Sequence, residues 1–193
     1  MVMGPRLAVA GLVCLAFVAL SGCGGSSEGE GGDGPVYESV EALATKAELV
    51  VLGAVGPVRG TEVDDGGNED GRGPDVTFHS MVVHEVLASG GAATAVASGD
   101  LLAVGVTEGS TELFEGDEMV LFLEVLTPAE APGIDLEDVF YVIVGQENGA
   151  FGVQDGAVIA RSEHVHGLAD AGEDVGAPFT TSLGDLRSFL SER

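Results

Sequence analysis

The apolar residues of this chain fall into short runs rich in β-branched side chains, each ended by Gly, Pro or acidic residues, and no cysteine follows residue 23. That pattern restricts the fold to a small β structure held by packing alone. Runs this short read as strands that need partners, and no disulfide can substitute for a core. Five such runs stand out: Glu48 to Val55, Val76 to Leu87, Leu101 to Val106, Met119 to Leu126 and Val139 to Val144. Pro57 and Gly60 are expected to end the first strand. Alternation along the second would place Val76, Phe78, Ser80, Val82, His84 and Val86 on one face. Thr77, His79, Met81, Val83, Glu85 and Leu87 would then occupy the other.

The connections carry their own signals. Thr61 to Asp75, dominated by Gly and acid, reads as a mobile loop, and residues 88–99 read as a turn with a short excursion. Glu115-Gly116-Asp117 predicts a turn, and Asp155-Gly156 between 151–154 and 157–160 predicts a tight hairpin. Ser39 ahead of Val40, Leu43, Ala44 and Ala47 predicts a capped helix over about 38–46. Residues 161–179 read as irregular. Beyond them, Thr181 or Ser182 caps a helix presenting Leu183, Leu186, Phe189 and Leu190 on one face.

The beginning of the chain has a different character. Arg6 precedes an apolar run from Leu7 to Leu20, too short for the ~20 residues of a spanning helix and suited to the core of a signal peptide. Leu20-Ser21-Gly22-Cys23 follows at once: an aliphatic residue, two small residues, then a thiol. This resembles the lipobox of bacterial lipoproteins at every position. The resemblance implies that the Cys23 thiol accepts a lipid, that the Gly22–Cys23 bond is cut, and that the new amino group of Cys23 is acylated. One acyl chain anchors a protein only marginally, whereas two or more hold it stably. Residues 24–35 then form a Gly/Ser-rich tether sprinkled with acid, with an r.m.s. reach of ~20 Å. Three regions are therefore expected: a signal peptide over 1–22, a lipidated Cys23 with its tether over 23–35, and one acidic extracytoplasmic domain over 36–193. Cys14 leaves with the leader, so lipid takes the only cysteine that remains.

Charge narrows the choice of partner. Six basic residues follow Cys23 (Lys46, Arg59, Arg72, Arg161, Arg187 and Arg193) against 32 acidic ones, which leaves that part of the chain near −26. A field of that sign repels phosphate backbones, so nucleic acid is not an expected partner.

The order of segments carries a second likeness. Ala47-Glu48-Leu49-Val50-Val51-Leu52-Gly53-Ala54-Val55, Val82-Val83-His84-Glu85-Val86-Leu87, Phe114-Glu115-Gly116-Asp117-Glu118-Met119-Val120-Leu121-Phe122-Leu123 and the Asn148-Gly149-Ala150-Phe151 turn follow one another in this order. Over about residues 47–160 this is similar to cysteine-free relatives of the netrin-like, OB-fold barrel of metalloproteinase inhibitors. The likeness implies a mainly β domain: a small five-stranded, closed or partly closed, OB-like barrel with a C-terminal hairpin and short helices at both ends. A β-sandwich is the alternative that strand periodicity leaves open. The inhibitors' function does not come with the likeness. They chelate zinc through a free N-terminal cysteine, and an acylated Cys23 has no free amine to offer.

Tests for chemistry find no catalytic residue, no metal set and no cofactor. His84-Glu85 has Ala88 where a zinc-protease helix needs its second His, and it lies in a strand. His164-Val165-His166 could turn both imidazoles the same way, but two ligands are too few without Glu163, Asp170 or another His. In the acidic run from Asp64 to Gly71, aligning Gly71 with the sixth EF-hand position puts Gly66 first and Thr77 twelfth, where carboxylates are required. No Gly-x-Ser-x-Gly elbow is present. The expected function is a lipid-anchored, non-catalytic module of the cell envelope that binds a protein or small ligand. A divalent-cation module and a hydrolase are the alternatives. Cys23→Ala should leave the protein unprocessed or released from the membrane, read by fractionation and mass spectrometry of the N-terminus. Normal maturation and membrane retention of that variant would exclude lipidation at Cys23.

Overall fold

The computed structural model of the chain describes residues 35–66, 73–90, 96–134, 139–169 and 177–193. The leader, the Leu20–Cys23 motif and most of the tether lie outside the described residues. The elements run α1 (Val40–Lys46), β1 (Leu49–Val63), β2 (Asp75–Ser89), β3 (Leu101–Thr107), β4 (Glu118–Leu126), β5 (Phe140–Ile143), β6 (Ala150–Gln154), β7 (Ala157–Ala160), β8 (Thr180–Ser182) and α2 (Leu183–Ser191). A single turn of 3-10 helix, Gln146–Gly149, leads into β6.

Five of the strands close a ring. β1 pairs with β2, β2 with β3, β3 with β5, β5 with β4, and β4 returns to β1. All of these pairings are antiparallel except β3–β5, which is parallel and joins only Val104 to Tyr141 and Gly105 to Val142. The ring is thus firmly sealed at β1–β4, where Leu49 to Ala54 oppose Leu123 to Glu118 without interruption, and loosely sealed at β3–β5. This is the partly closed arrangement expected from the run of short strands, and not a sandwich. β6 continues the sheet from β4, followed by β7 and then β8.

Both faces of β1 over 49–53 and of β4 over 119–123 are covered, which accounts for the unbroken apolar composition there. Leu49 and Val51 of β1, with Met119, Leu121 and Leu123 of β4, point into the ring beside Met81, Val83, Val104 and Tyr141. Val50, Leu52, Val120 and Phe122 point out, into a second core completed by Val40 and Leu43 of α1, Leu186 and Leu190 of α2, and Phe151 and Val158 of the hairpin. A third cluster covers the outer side of β2 and β5, where Phe78 meets Phe140 edge-on at 5.3 Å under Ala131 and Ile134. The caps form as expected: Ser39 Oγ accepts from the Ala42 N–H at 3.2 Å and Ser182 Oγ from the Asp185 N–H at 3.0 Å. Asp155 and Gly156 both take positive φ, 51° and 80°, the conformation a two-residue hairpin turn demands.

Three expectations are corrected. β1 does not stop at Pro57 or Gly60 but runs on to Val63, and β2 begins at Asp75, so the expected loop shrinks to residues 64–74. Proline is tolerated because it sits at a register shift between Val55 and Val58, beyond the end of the β4 pairing. Its carbonyl accepts a 2.9 Å hydrogen bond from Ser80 Oγ. The simple alternation along β2 holds only as far as Val83. The β1 register skips Leu87 between Val50 and Val51 and skips His84 between Leu52 and Gly53. Each slip turns the following side chains over. Val86 therefore joins Met81 and Val83 in the ring interior, whereas Val76 and Phe78 lie on the opposite face as the alternation predicts. Third, a strand that the sequence did not signal follows the irregular stretch, since Thr180–Ser182 pairs with β7.

Gly53 marks the tightest point of the closure: a methyl on its Cα would run into the Val82 carbonyl oxygen, which is backbone and cannot step aside. Gly60, also in β1, faces open space. Gly53→Ala should destabilise the fold by about 3 kcal/mol, the upper part of the overpacking range, with Gly60→Ala near neutral. Urea unfolding followed by circular dichroism makes the comparison, and equal midpoints for the two variants would contradict the closure at Gly53.

Candidate functional site

β2 sends Thr77, His79 and Met81 toward the ring interior, and the next strand sends Val106 there. Met81, Val106 and Leu113 belong to the interior core, so the core reaches up to this end of the ring and stops. The segment after β3 folds back over the opening. The Glu108 N–H donates to Asp75 O at 2.8 Å, and Ser110 Oγ donates to Thr107 O at 2.6 Å. Gly109 takes a φ of 81°, which reverses the chain. Leu113 then plunges into the core and fixes the far end of the segment, leaving its neighbour Phe114 54 % exposed.

Between this segment and the two strands lies a cavity of about 530 Å³, within the usual ~300–1,000 Å³ of small-molecule sites. Its wall carries the hydroxyl residues Thr77, Thr107, Ser110 and Thr111, its apolar part is Val106, Leu113 and Phe114, and Glu108 and Glu112 stand exposed at its edge. His79 lines it as well. The residue is only 9 % exposed, and Nδ1 is sealed from solvent with no hydrogen-bond partner among the described residues. Burial pushes the imidazole pKa down, and the backbone of Gly56 offsets this only in part, without giving Nδ1 a hydrogen bond. His79 is accordingly neutral at neutral pH. A buried nitrogen left unpaired costs about 1–3 kcal/mol.

The residues singled out in the sequence lie elsewhere. His84 faces Glu118, Nδ1 to Oε1 at 3.3 Å, and Glu85 takes a two-pronged ion pair from Arg187, with contacts of 2.7 and 2.9 Å. Both sit on β2, as the failed HExxH match implied. His164 and His166 flank buried Val165 in a segment tied to the chain ahead of α1 by the His166 N–H to Glu38 O bond at 2.9 Å. Among the described residues no three potential metal ligands converge, there or elsewhere. Asp170 and residues 67–72 of the acidic run lie outside the described residues, and Asp64 Oδ1 accepts the Gly66 N–H at 3.0 Å.

His79 escaped notice in the sequence because an imidazole on a strand carries no motif. Its inward phase with Met81 was visible, but not that the ring interior ends in a cavity at this point. In comparisons with protein families, curated proteins and solved structures, nothing matches the chain.

The folded chain holds His79 with a lowered pKa, so below the ordinary imidazole value of ~6.5 the unfolded chain takes up the proton first and stability falls as pH drops. His79→Gln should remove this contribution, so that stability falls less between pH 7 and pH 5 than in the parent protein. Urea midpoints at the two pH values test this, and identical losses in both proteins would refute a buried neutral imidazole.

Proposed function

We propose that this protein is a lipid-anchored, extracytoplasmic binding module whose barrel receives a small ligand at the mouth covered by residues 107–114. The observation that carries this is a cavity large enough for a ligand at that mouth, lined by hydroxyl side chains of Thr77, Thr107, Ser110 and Thr111 beside Val106, Leu113 and Phe114. Its surroundings suit recognition better than catalysis. Among the described residues no carboxylate hydrogen-bonds the His79 imidazole to orient it, as the support of a general base would require. The Leu20–Cys23 motif, the short apolar leader before it and the glycine-rich tether after it support anchoring by lipid on Cys23. No helix among the described residues is long and apolar enough to cross a membrane.

Screening the full chain in detergent against small polar molecules by thermal shift should yield ligands that stabilise it, by about 2.7 kcal/mol at a hundredfold excess over Kd. The same ligands should displace the NMR resonances of the His79 ring and of the amides between Thr107 and Phe114. Ligands that bind while leaving both sets of resonances unmoved would overturn the assignment of the site.

A further inference from the structure

The hairpin of β1 and β2 runs on beyond the β1–β4 seam and leaves one strand edge without a neighbour. β4 pairs with β1 only as far as Ala54, and residues 58–63 pair on one side alone, with β2. Among the described residues no strand lies along their other edge. Such an edge offers unpaired N–H and C=O groups in a row, a template for another strand. Pro57, with no N–H to donate, bounds it on the side of the ring. Val58 and Val63 stand 55 % and 41 % exposed along it. Arg59 is the one lysine or arginine among the described residues without an acidic partner, since Lys46, Arg161, Arg187 and Arg193 each have one. A free edge does not by itself name a partner. The order of residues along this one does.

We infer that residues 58–63 pair antiparallel with the same residues of a second copy of this chain, across a two-fold axis at Thr61. A two-fold contact sets one patch against itself, so the patch must be its own complement. Residues facing each other across antiparallel strands must also point to the same face. β1 meets both conditions. Thr61 and Val63 lie opposite Thr77 and Asp75, and Val58 opposite His79, so all three share one face. The hydroxyl oxygens of Thr61 and Thr77, 3.4 Å apart, agree with that. With the axis at Thr61, Gly60 stands opposite the second copy's Glu62. The register shift between Val58 and Gly60 leaves Arg59 as an extra residue, which brings Val58 opposite the second copy's Val63. The exposed valines then cover one another. Each Arg59 lies one residue from the other copy's Glu62, within reach of a long side chain. Charge also fixes the direction. Asp64, Asp65, Glu69 and Asp70 follow the strand in sequence. Antiparallel pairing sets the two copies of Asp64 about 20 Å apart at ~3.3 Å per residue, beyond the ~8 Å screening length of physiological salt. Parallel pairing would place them side by side. Another protein would have to supply this complement, whereas a second copy carries it already.

This pairing does not depend on ligand binding at the ring mouth. It is small beside the ~1,200–2,000 Å² of stable interfaces, so the association is weak and reversible. Sedimentation equilibrium of the full chain in density-matched detergent, carried up to about 1 mM, should show monomer and dimer in exchange. Arg59→Glu and Glu62→Arg each set like charges together and should weaken the dimer about tenfold. The two substitutions combined restore opposite charges and should restore the dimer, a rescue that mere damage to the fold would not give. Thr61→Cys, on the axis, should form a disulfide-linked dimer under mild oxidation, with the parent chain as the blank, and Arg59→Glu should suppress that link. Circular dichroism establishes that each variant is folded. A chain that stays monomeric over this range overturns the proposal. So does a dimer indifferent to either charge reversal, or a folded double variant that fails to recover association. A dimer that Thr61→Cys does not link has its axis elsewhere, which overturns the pairing as well.

Discussion

Everything in this fold hangs on the pairing of β1 with β4. Six residue pairs from Leu49–Leu123 to Ala54–Glu118 join them without a register shift, and residues 49–53 and 119–123 are buried on both faces. The inward side chains make the ring interior. The outward ones make the second core, to which α1, α2 and the β6–β7 hairpin attach. Loss of this seam would open the ring and remove the platform for both helices together. Phe122 shows the coupling: fully buried on β4, it packs against Phe151 of the hairpin with ring centroids 5.4 Å apart. The opposite seam, β3–β5, has two residue pairs and bears no comparable layer of helix.

A strongly acidic chain has few basic residues to place, and most of them join elements that the sheet ladder does not. Lys46 at the end of α1 reaches Glu124 of β4 at 3.0 Å, and Arg187 of α2 reaches Glu85 of β2. Arg161, just after β7, reaches Asp117 ahead of β4 at 2.8 Å, and Arg193 pairs with Glu41 of α1 while stacking over Phe189. All are solvent-facing pairs of the kind that add little to stability in water, so their main effect is on placement. They draw positive charge toward the helices and the hairpin. Among the described residues, no basic side chain lines the mouth of the ring.

The two β2 bulges lie away from the cavity at that mouth. Skipping His84 and Leu87 keeps Met81, Val83 and Val86 in the interior despite their uneven spacing. Ahead of the bulges the strand alternates normally, so Thr77 and His79 stay inward where the apolar filling gives out. A functional cost of the kind carried by an unpaired buried imidazole is thus set by the geometry of the ring, with no local sequence signal for it.

The sequence by itself determined the strand runs of β3, β4 and β5, both helix caps, the Asp155-Gly156 hairpin, the absence of cysteine from the described domain and its acidity. These follow from local rules: side-chain branching, capping hydrogen bonds, backbone freedom at turns and the simple count of charges. The Leu20–Cys23 motif is of the same local kind and sets the expectation of a lipid anchor. Only the tertiary structure decided that β1 continues through Pro57, that β2 is bulged twice, that β4 closes on β1, and that His79 sits unpaired in a cavity. Each of these depends on which strand lies alongside, and pairing between segments distant in the chain leaves no periodic trace in either one.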